Sequence, residues 1–210
     1  MSSGNALRGL YVITDDALAG ERVAEQVEAA LRGGARLVQY RSKQGTPSQR
    51  EQQARAVLAT CHAHGVPLLV NDDPQLAKTI GADGVHLGQS DVKLAAAREL
   101  LGPGAIIGVT CHASVELAVH AAQGGASYVA FGRFFPSQTK PGAPPADINV
   151  LREAKARLTI PICAIGGITP ANAPALLEAG ADLLAVIHGV FGQPDIEAAA
   201  RCYAKLFDSD

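Results

Sequence analysis

The side chains in this chain that could do chemistry stand mostly at the carboxyl ends of short apolar runs. Val38 leads into Gln39-Tyr40-Arg41-Ser42-Lys43, Leu68-Leu69-Val70 into Asn71-Asp72-Asp73, and Val85-His86-Leu87 into Gly88-Gln89-Ser90-Asp91. Ile106-Ile107-Gly108-Val109 leads into Thr110-Cys111-His112. Val129-Ala130-Phe131 leads into a segment with Arg133, Ser137, Gln138, Thr139 and Lys140, and Ile162-Cys163-Ala164-Ile165 into Gly166-Gly167. Asp72 and Asp91 close two successive runs and could converge on one hard cation. Two carboxylates that leave room for water and phosphate oxygens suit Mg²⁺. Asp91 could equally cap a helix starting at Val92, and Asp73, just before Pro74, reads as a helix cap.

The cations follow the same logic. Arg41 and Lys43 alternate with Gln39, so in a strand they share its face. Inward-facing charges are costly unless an anion meets them, which leaves two readings: a salt bridge to the two aspartates, or a bound phosphate. Gly166-Gly167, followed by Thr169-Pro170, exposes backbone N–H groups at a helix start, which suits phosphate or a plain turn. His112 at the end of its run could touch a substrate or support one that does. His86, inside its run, reads as a hydrogen-bonded core residue, and His62, His64 and His120 as surface. No Ser–His–Asp or Cys–His pattern argues for covalent catalysis.

These groups need elements to hold them, and a repeat supplies them. Gly-Ala recurs at Gly34-Ala35, Gly81-Ala82, Gly125-Ala126 and Gly180-Ala181, each pair closing one segment and opening an apolar run. Further runs near 10–14, 67–70, 105–109 and 161–165 interleave with these to give eight strand candidates. Segments 21–32, 48–64, 92–101, 113–123, 147–157, 170–179 and 195–207 have helical composition and spacing, with a shorter helix at 74–80. Thr46-Pro47, Asp73-Pro74 and Thr169-Pro170 mark helix starts. Strict alternation of strand and helix means a parallel sheet, and eight units with right-handed crossovers close into a barrel. The chain thus reads as one α/β domain over 1–210, a (β/α)8 TIM barrel with its active site in the loops after the strands. An open doubly wound sheet is the alternative, but no G-x-G-x-x-G follows the first strand. The connection 132–146 has the length and the Gly and Pro content of a lid over the site.

Bulk properties exclude several classes. A net charge of −2 gives no general pull toward nucleic acid or anionic membranes. No apolar run reaches membrane-spanning length and no signal segment opens the chain, so a soluble cytoplasmic protein is expected. The four cysteines are far apart and form no C-x-x-C pair, which argues for reduced thiols, with Cys163 in the core. Nothing in the sequence sets the oligomeric state.

The set Tyr11-Val12-Ile13-Thr14-Asp15, Val38 to Lys43, Asn71-Asp72-Asp73, Gly84 to Asp91, Gly108 to His112, Ser137 to Lys140 and Ala164 to Ile168 closely resembles the thiamine-phosphate synthase family. The motifs fall in order over nearly the whole chain. The resemblance implies a Mg²⁺-dependent transferase that joins a hydroxymethylpyrimidine diphosphate to a thiazole phosphate, releasing pyrophosphate, and CO₂ when the thiazole is carboxylated. It implies that Gln39, Arg41, Lys43, Asn71, Thr110 and Lys140 hold the pyrimidine diphosphate, with Tyr40, Ser42 and Gln138 beside them. It makes Asp72 and Asp91 the metal ligands and Arg41, Lys43 and Lys140 the catalytic cations. Ser137, Thr139, Gly167, Ile187 and His188 fall where the thiazole phosphate is held. Thr110 stands where Ser is frequent and Ser137 where Thr is frequent, so each hydroxyl is kept. His188 stands where some members have Ser, which leaves the role of its side chain open, while its backbone N–H can still make that contact. Two other readings stay open: a thiazole tautomerase using His112 as acid/base, and a non-catalytic phosphate-binding barrel.

Overall fold

The structure is a computed structural model that describes residues 7–89, 93–136 and 145–208. Eight parallel strands close in sequence order: β1 Gly9–Ile13, β2 Leu37–Tyr40, β3 Leu68–Asn71, β4 Gly84–Leu87, β5 Ile106–His112, β6 Tyr128–Phe131, β7 Ile162–Ile165 and β8 Leu183–Val186. Pairing of β1 with both β2 and β8 completes the barrel. The expected (β/α)8 architecture is therefore what the chain forms.

Strand alternation sorts the side chains into two cores. Leu10, Val12, Val38, Tyr40, Leu68 and Val70 point outward and are buried under the helices. Tyr11, Ile13, Leu37, Leu69, Tyr128, Ala130, Cys163, Leu183 and Ala185 fill the barrel interior. Interior glycines make room for large neighbours. A Cβ at Gly108 would fall inside the phenol ring of Tyr128, its partner across the β5–β6 register.

The helices are α1 Asp16–Ala19, α2 Val23–Arg32, α3 Pro47–Ala63, α4 Pro74–Ile80, α5 Leu94–Leu101, α6 Val115–Gln123, α7 Asn149–Arg157, α8 Ala173–Glu178, α9 His188–Phe191 and α10 Ile196–Ala204. Thr46 and Gln49 form a full capping box at the start of α3. Asp73 caps α4, accepting from Leu76 N at 2.8 Å. Asp73→Ala is expected to cost about 1 kcal/mol in denaturant unfolding and to spare turnover.

The expected helix 170–179 begins three residues later. Thr169 and Asn172 exchange hydrogen bonds, Asn172 Oδ1 accepting from Thr169 N at 2.8 Å and Thr169 Oγ1 from Asn172 N at 3.3 Å, and this turn delays α8 to Ala173. The short helices α1 and α9 were not expected at all. Among the described residues no helix is long and apolar enough to cross a membrane.

Cys61, Cys111 and Cys163 are buried free thiols and Cys202 is an exposed one. Burial pushes Cys61 and Cys111 up to about 12. Thiolate is the reactive form, so an alkylating agent is expected to label one thiol in the native chain and all four after unfolding. Mass spectrometry showing rapid labelling of Cys61 or Cys111 would contradict this burial.

Candidate active site

A cavity of about 420 Å³ opens at the carboxyl ends of the strands. Its lining divides by strand. β2 to β5 and the residues just after them supply Gln39, Arg41, Asn71, Asp72, His86, Gly88, Gln89, Thr110 and His112. The segments after β6 to β8 supply Arg133, Gly166, Gly167, Ile168, Ile187 and Gly189.

Each polar group is held by a specific local device. Thr14, buried at the end of β1, donates to Arg41 O at 3.1 Å and accepts from Arg41 N at 2.8 Å. That exchange continues the β1–β2 pairing past the end of the strands and carries Arg41 to the rim. Its guanidinium pairs with Asp15 at 3.2 Å. The salt bridge open to it in the sequence, with Asp72, is not formed; the nearer β1 loop supplies the carboxylate. Asp16 Oδ2 accepts from Lys43 N at 2.5 Å and Gln44 N at 3.1 Å, so two β1-loop carboxylates grip the β2 loop.

Asp72 follows β3 in a left-handed conformation, φ 57°. Its backbone N donates to His86 O at 2.8 Å, while Oδ1 accepts from Gly88 N at 2.8 Å and Oδ2 from Asn71 Nδ2 at 2.7 Å. Both oxygens are thus oriented by fixed donors, and each keeps a lone pair for a further partner. Among the described residues no group of three or more His, Cys, Asp or Glu gathers as a ready metal cage. One oriented carboxylate with space beside it fits Mg²⁺, which takes few protein oxygens and completes its shell with water and phosphate.

β5 slips register between Thr110 and His112, where His112 has φ 52°. Such an irregularity re-aims side chains at a sheet's end, and here both Thr110 and His112 line the cavity. Gln89 Nε2 donates to Thr110 O and ties the β4 loop to β5.

Gly166 and Gly167 do more than expose N–H groups. A Cβ on Gly166 would sit 2.7 Å from Arg133 Cα, and one on Gly167, φ +63°, 2.9 Å from the Phe135 side chain. Phe134 N donates to Ile165 O at 3.2 Å and Phe135 N to Gly166 O at 3.0 Å. The glycine pair therefore lets the base of the β6 loop lie directly on the β7 loop.

Several expected residues stand apart from this cavity. Tyr40 points to the helix layer, where its hydroxyl donates to Gln53 Oε1 at 3.0 Å, and Ser42 donates to Gln44 O at 3.1 Å. Both lie on the face opposite Gln39 and Arg41, as strand alternation requires. Lys43 and His188 are exposed and do not line the cavity. Asp91, Ser137, Gln138, Thr139 and Lys140 lie outside the described residues, as does the middle of the connection 132–146 that was expected to act as a lid.

The sequence reading missed Tyr11 and Tyr128. Gln39 Nε2 donates to Tyr11 Oη, Tyr11 and Tyr128 hydroxyls meet at 2.9 Å, Tyr128 Oη meets His86 Nδ1 at 2.7 Å, and His86 Nε2 meets Thr110 Oγ1 at 2.9 Å. Burial raises both phenols above their ordinary range, so both stay protonated. The one sequence signal was their inward parity on β1 and β6.

A closed (β/α)8 barrel with its polar cavity at the carboxyl ends of the strands defines the class of barrel enzymes that act through their βα loops. The comparisons narrow this. Residues 10–190 match the family described as thiamine monophosphate synthase. A thiamine-phosphate synthase of Marinobacter nauticus is 59% identical over 202 residues, covering 95% of this chain and 90% of that one. One from Thioalkalivibrio sulfidiphilus is 53% identical over 207 residues, covering 98% of each. The solved thiamine phosphate pyrophosphorylase of Pyrococcus furiosus superposes with a TM-score of 0.87 at 34% identity, covering 95% of both chains. This chain belongs to the thiamine monophosphate synthase family, whose members are transferases.

Proposed function

We propose that this chain joins 4-amino-2-methyl-5-(diphosphooxymethyl)pyrimidine to a thiazole phosphate, giving thiamine phosphate and pyrophosphate. CO₂ is also released when the thiazole is carboxylated. One observation supports this reading above the others: a single cavity is lined by cation, carboxylate and amide groups from β2 to β5 and by glycine backbone from the β7 and β8 loops. The first set suits a diphosphate and a polar heterocycle, the second a monophosphate held by backbone N–H.

In this reaction the methylene–oxygen bond to the diphosphate breaks, with its electrons leaving on pyrophosphate, and the thiazole nitrogen lone pair forms the new carbon–nitrogen bond. Arg41 and Lys140 neutralise the leaving group, and Lys43, exposed on the β2 loop, adds its charge from the rim. Asp72 and Asp91 would hold Mg²⁺, which when bound would supply further charge neutralisation for the diphosphate. Gln39, Asn71 and Thr110 orient the pyrimidine. Ser137, Thr139, Gly167, Ile187 and the His188 backbone hold the thiazole phosphate. The nucleophile carries no proton on its nitrogen, so positioning replaces general-base catalysis.

The test is to mix both substrates with the chain and Mg²⁺. Thiamine phosphate and pyrophosphate in equal amounts are expected, with loss of both on chelation. Binding of both substrates without product would overturn the proposal.

A further inference from the structure

The hydrogen-bonded chain inside the barrel can run in either of two directions, and Gln39 holds one end of it. Gln39 Nε2 donates to Tyr11 Oη, and in one of these directions the Tyr11 proton goes to Tyr128 Oη, 2.9 Å away. The Tyr128 proton then goes to His86 Nδ1 at 2.7 Å. A neutral imidazole that accepts at Nδ1 carries its proton on Nε2, and that proton goes to Thr110 Oγ1 at 2.9 Å. The Thr110 proton is left for the cavity, which Thr110 lines. At the other end Gln39, with one amide N–H engaged by Tyr11, lines the same cavity.

We infer that Tyr11, Tyr128 and His86 are positioning residues that hold Gln39 as an acceptor and Thr110 as a donor, and so make the site select an amino- over an oxo-pyrimidine. This rests on the pyrimidine reading above. In a 4-aminopyrimidine the exocyclic amine is the ring's donor and the ring nitrogens accept. In the 4-oxo analogue that edge is reversed: the carbonyl accepts and N3–H donates. The chain cannot adapt one end alone. Reversal needs an amide flip, two phenol rotations, a new imidazole tautomer and a threonine rotation together. Discrimination therefore does not depend on steric fit, because the two ring edges have nearly the same shape.

Two measurements on the full chain test this. Long-range ¹H–¹⁵N NMR, with the His86 signals identified by their loss in His86→Asn, is expected to show the Nε2–H tautomer. Any other protonation pattern overturns the direction. Calorimetry with the non-reacting monophosphates of the 4-amino and 4-oxo pyrimidines is expected to show strong preference for the amino ligand. Tyr128→Phe cuts the chain and frees each end, so the ratio of the two Kd values should fall about tenfold, the equivalent of one buried hydrogen-bond mismatch. A variant that only loosens the barrel would weaken both ligands alike, and an unchanged ratio overturns the inference. Tyr11→Phe makes the same cut one link earlier and serves if Tyr128→Phe does not fold. A wild-type chain that binds neither pyrimidine, while His86 shows the Nε2–H tautomer, refutes the substrate reading and the selectivity but not the wired chain.

Discussion

Replacing Asp72 with alanine is expected to lower turnover by about a hundredfold or more, the scale on which removing one fixed charge-stabilising group acts. The barrel should remain intact, since Asp72 is at a strand end and its side-chain partners are Gly88 N and Asn71 Nδ2. The loss should be steepest at limiting Mg²⁺ and partly relieved as Mg²⁺ is raised. Asp72→Asn separates the two roles of the carboxylate: its amide oxygen can still accept from Gly88 N, but it brings no charge to a cation. If Asp72→Asn kept full activity across the Mg²⁺ range, the metal assignment would fail and the carboxylate would be only a loop brace.

Gly108→Val is expected to be a strongly damaging substitution in the barrel interior. The new Cβ would collide with the Tyr128 ring, and both flanking strands are hydrogen-bonded and cannot spread. Overpacking of this kind costs about 1–3 kcal/mol or more. Here it would also push the Tyr128 hydroxyl off His86 Nδ1. Loss of stability in urea melts should therefore come with weakened pyrimidine binding in whatever fraction folds. A fully stable Gly108→Val with native affinity would mean that Tyr128 does not occupy that space.

The fold was legible because each element carries its own local signal. The Gly81-Ala82 pair ends α4 and opens β4, and Gly81 adopts the left-handed cap that glycine favours. Strand ends fell within a few residues of the expected runs for the same reason. Helices α1 and α9, at four residues each, are too short to show periodicity. Pro170 looked like a helix start, yet the Thr169–Asn172 exchange takes precedence there. The site was legible in part. Gln39, Arg41, Asn71, Asp72, Thr110 and Gly167 all line the cavity. Tyr11 and Tyr128 were not legible, because they lie inside runs that read as apolar strand. What joins them to His86 is strand parity and register around a closed barrel, and neither is a spacing in the sequence. Arg41 and Asp15 were separated in the same way, since their meeting depends on Thr14 extending the β1–β2 pairing.

The Arg41–Asp15 pair sets the terms on which an anion can enter. An incoming ligand does not find a bare cation; it finds one already neutralised by a carboxylate 3.2 Å away. Binding there is an ion exchange, in which the newcomer must share or displace a partner held in place by the protein. Chloride or acetate brings a single charge and gains little from such a trade. A diphosphate brings several charges and a row of oxygens that a guanidinium can meet in bidentate fashion. The mouth of the barrel is thus expected to discriminate anions by valence, with binding at Arg41 less sensitive to ordinary salt than to polyphosphate.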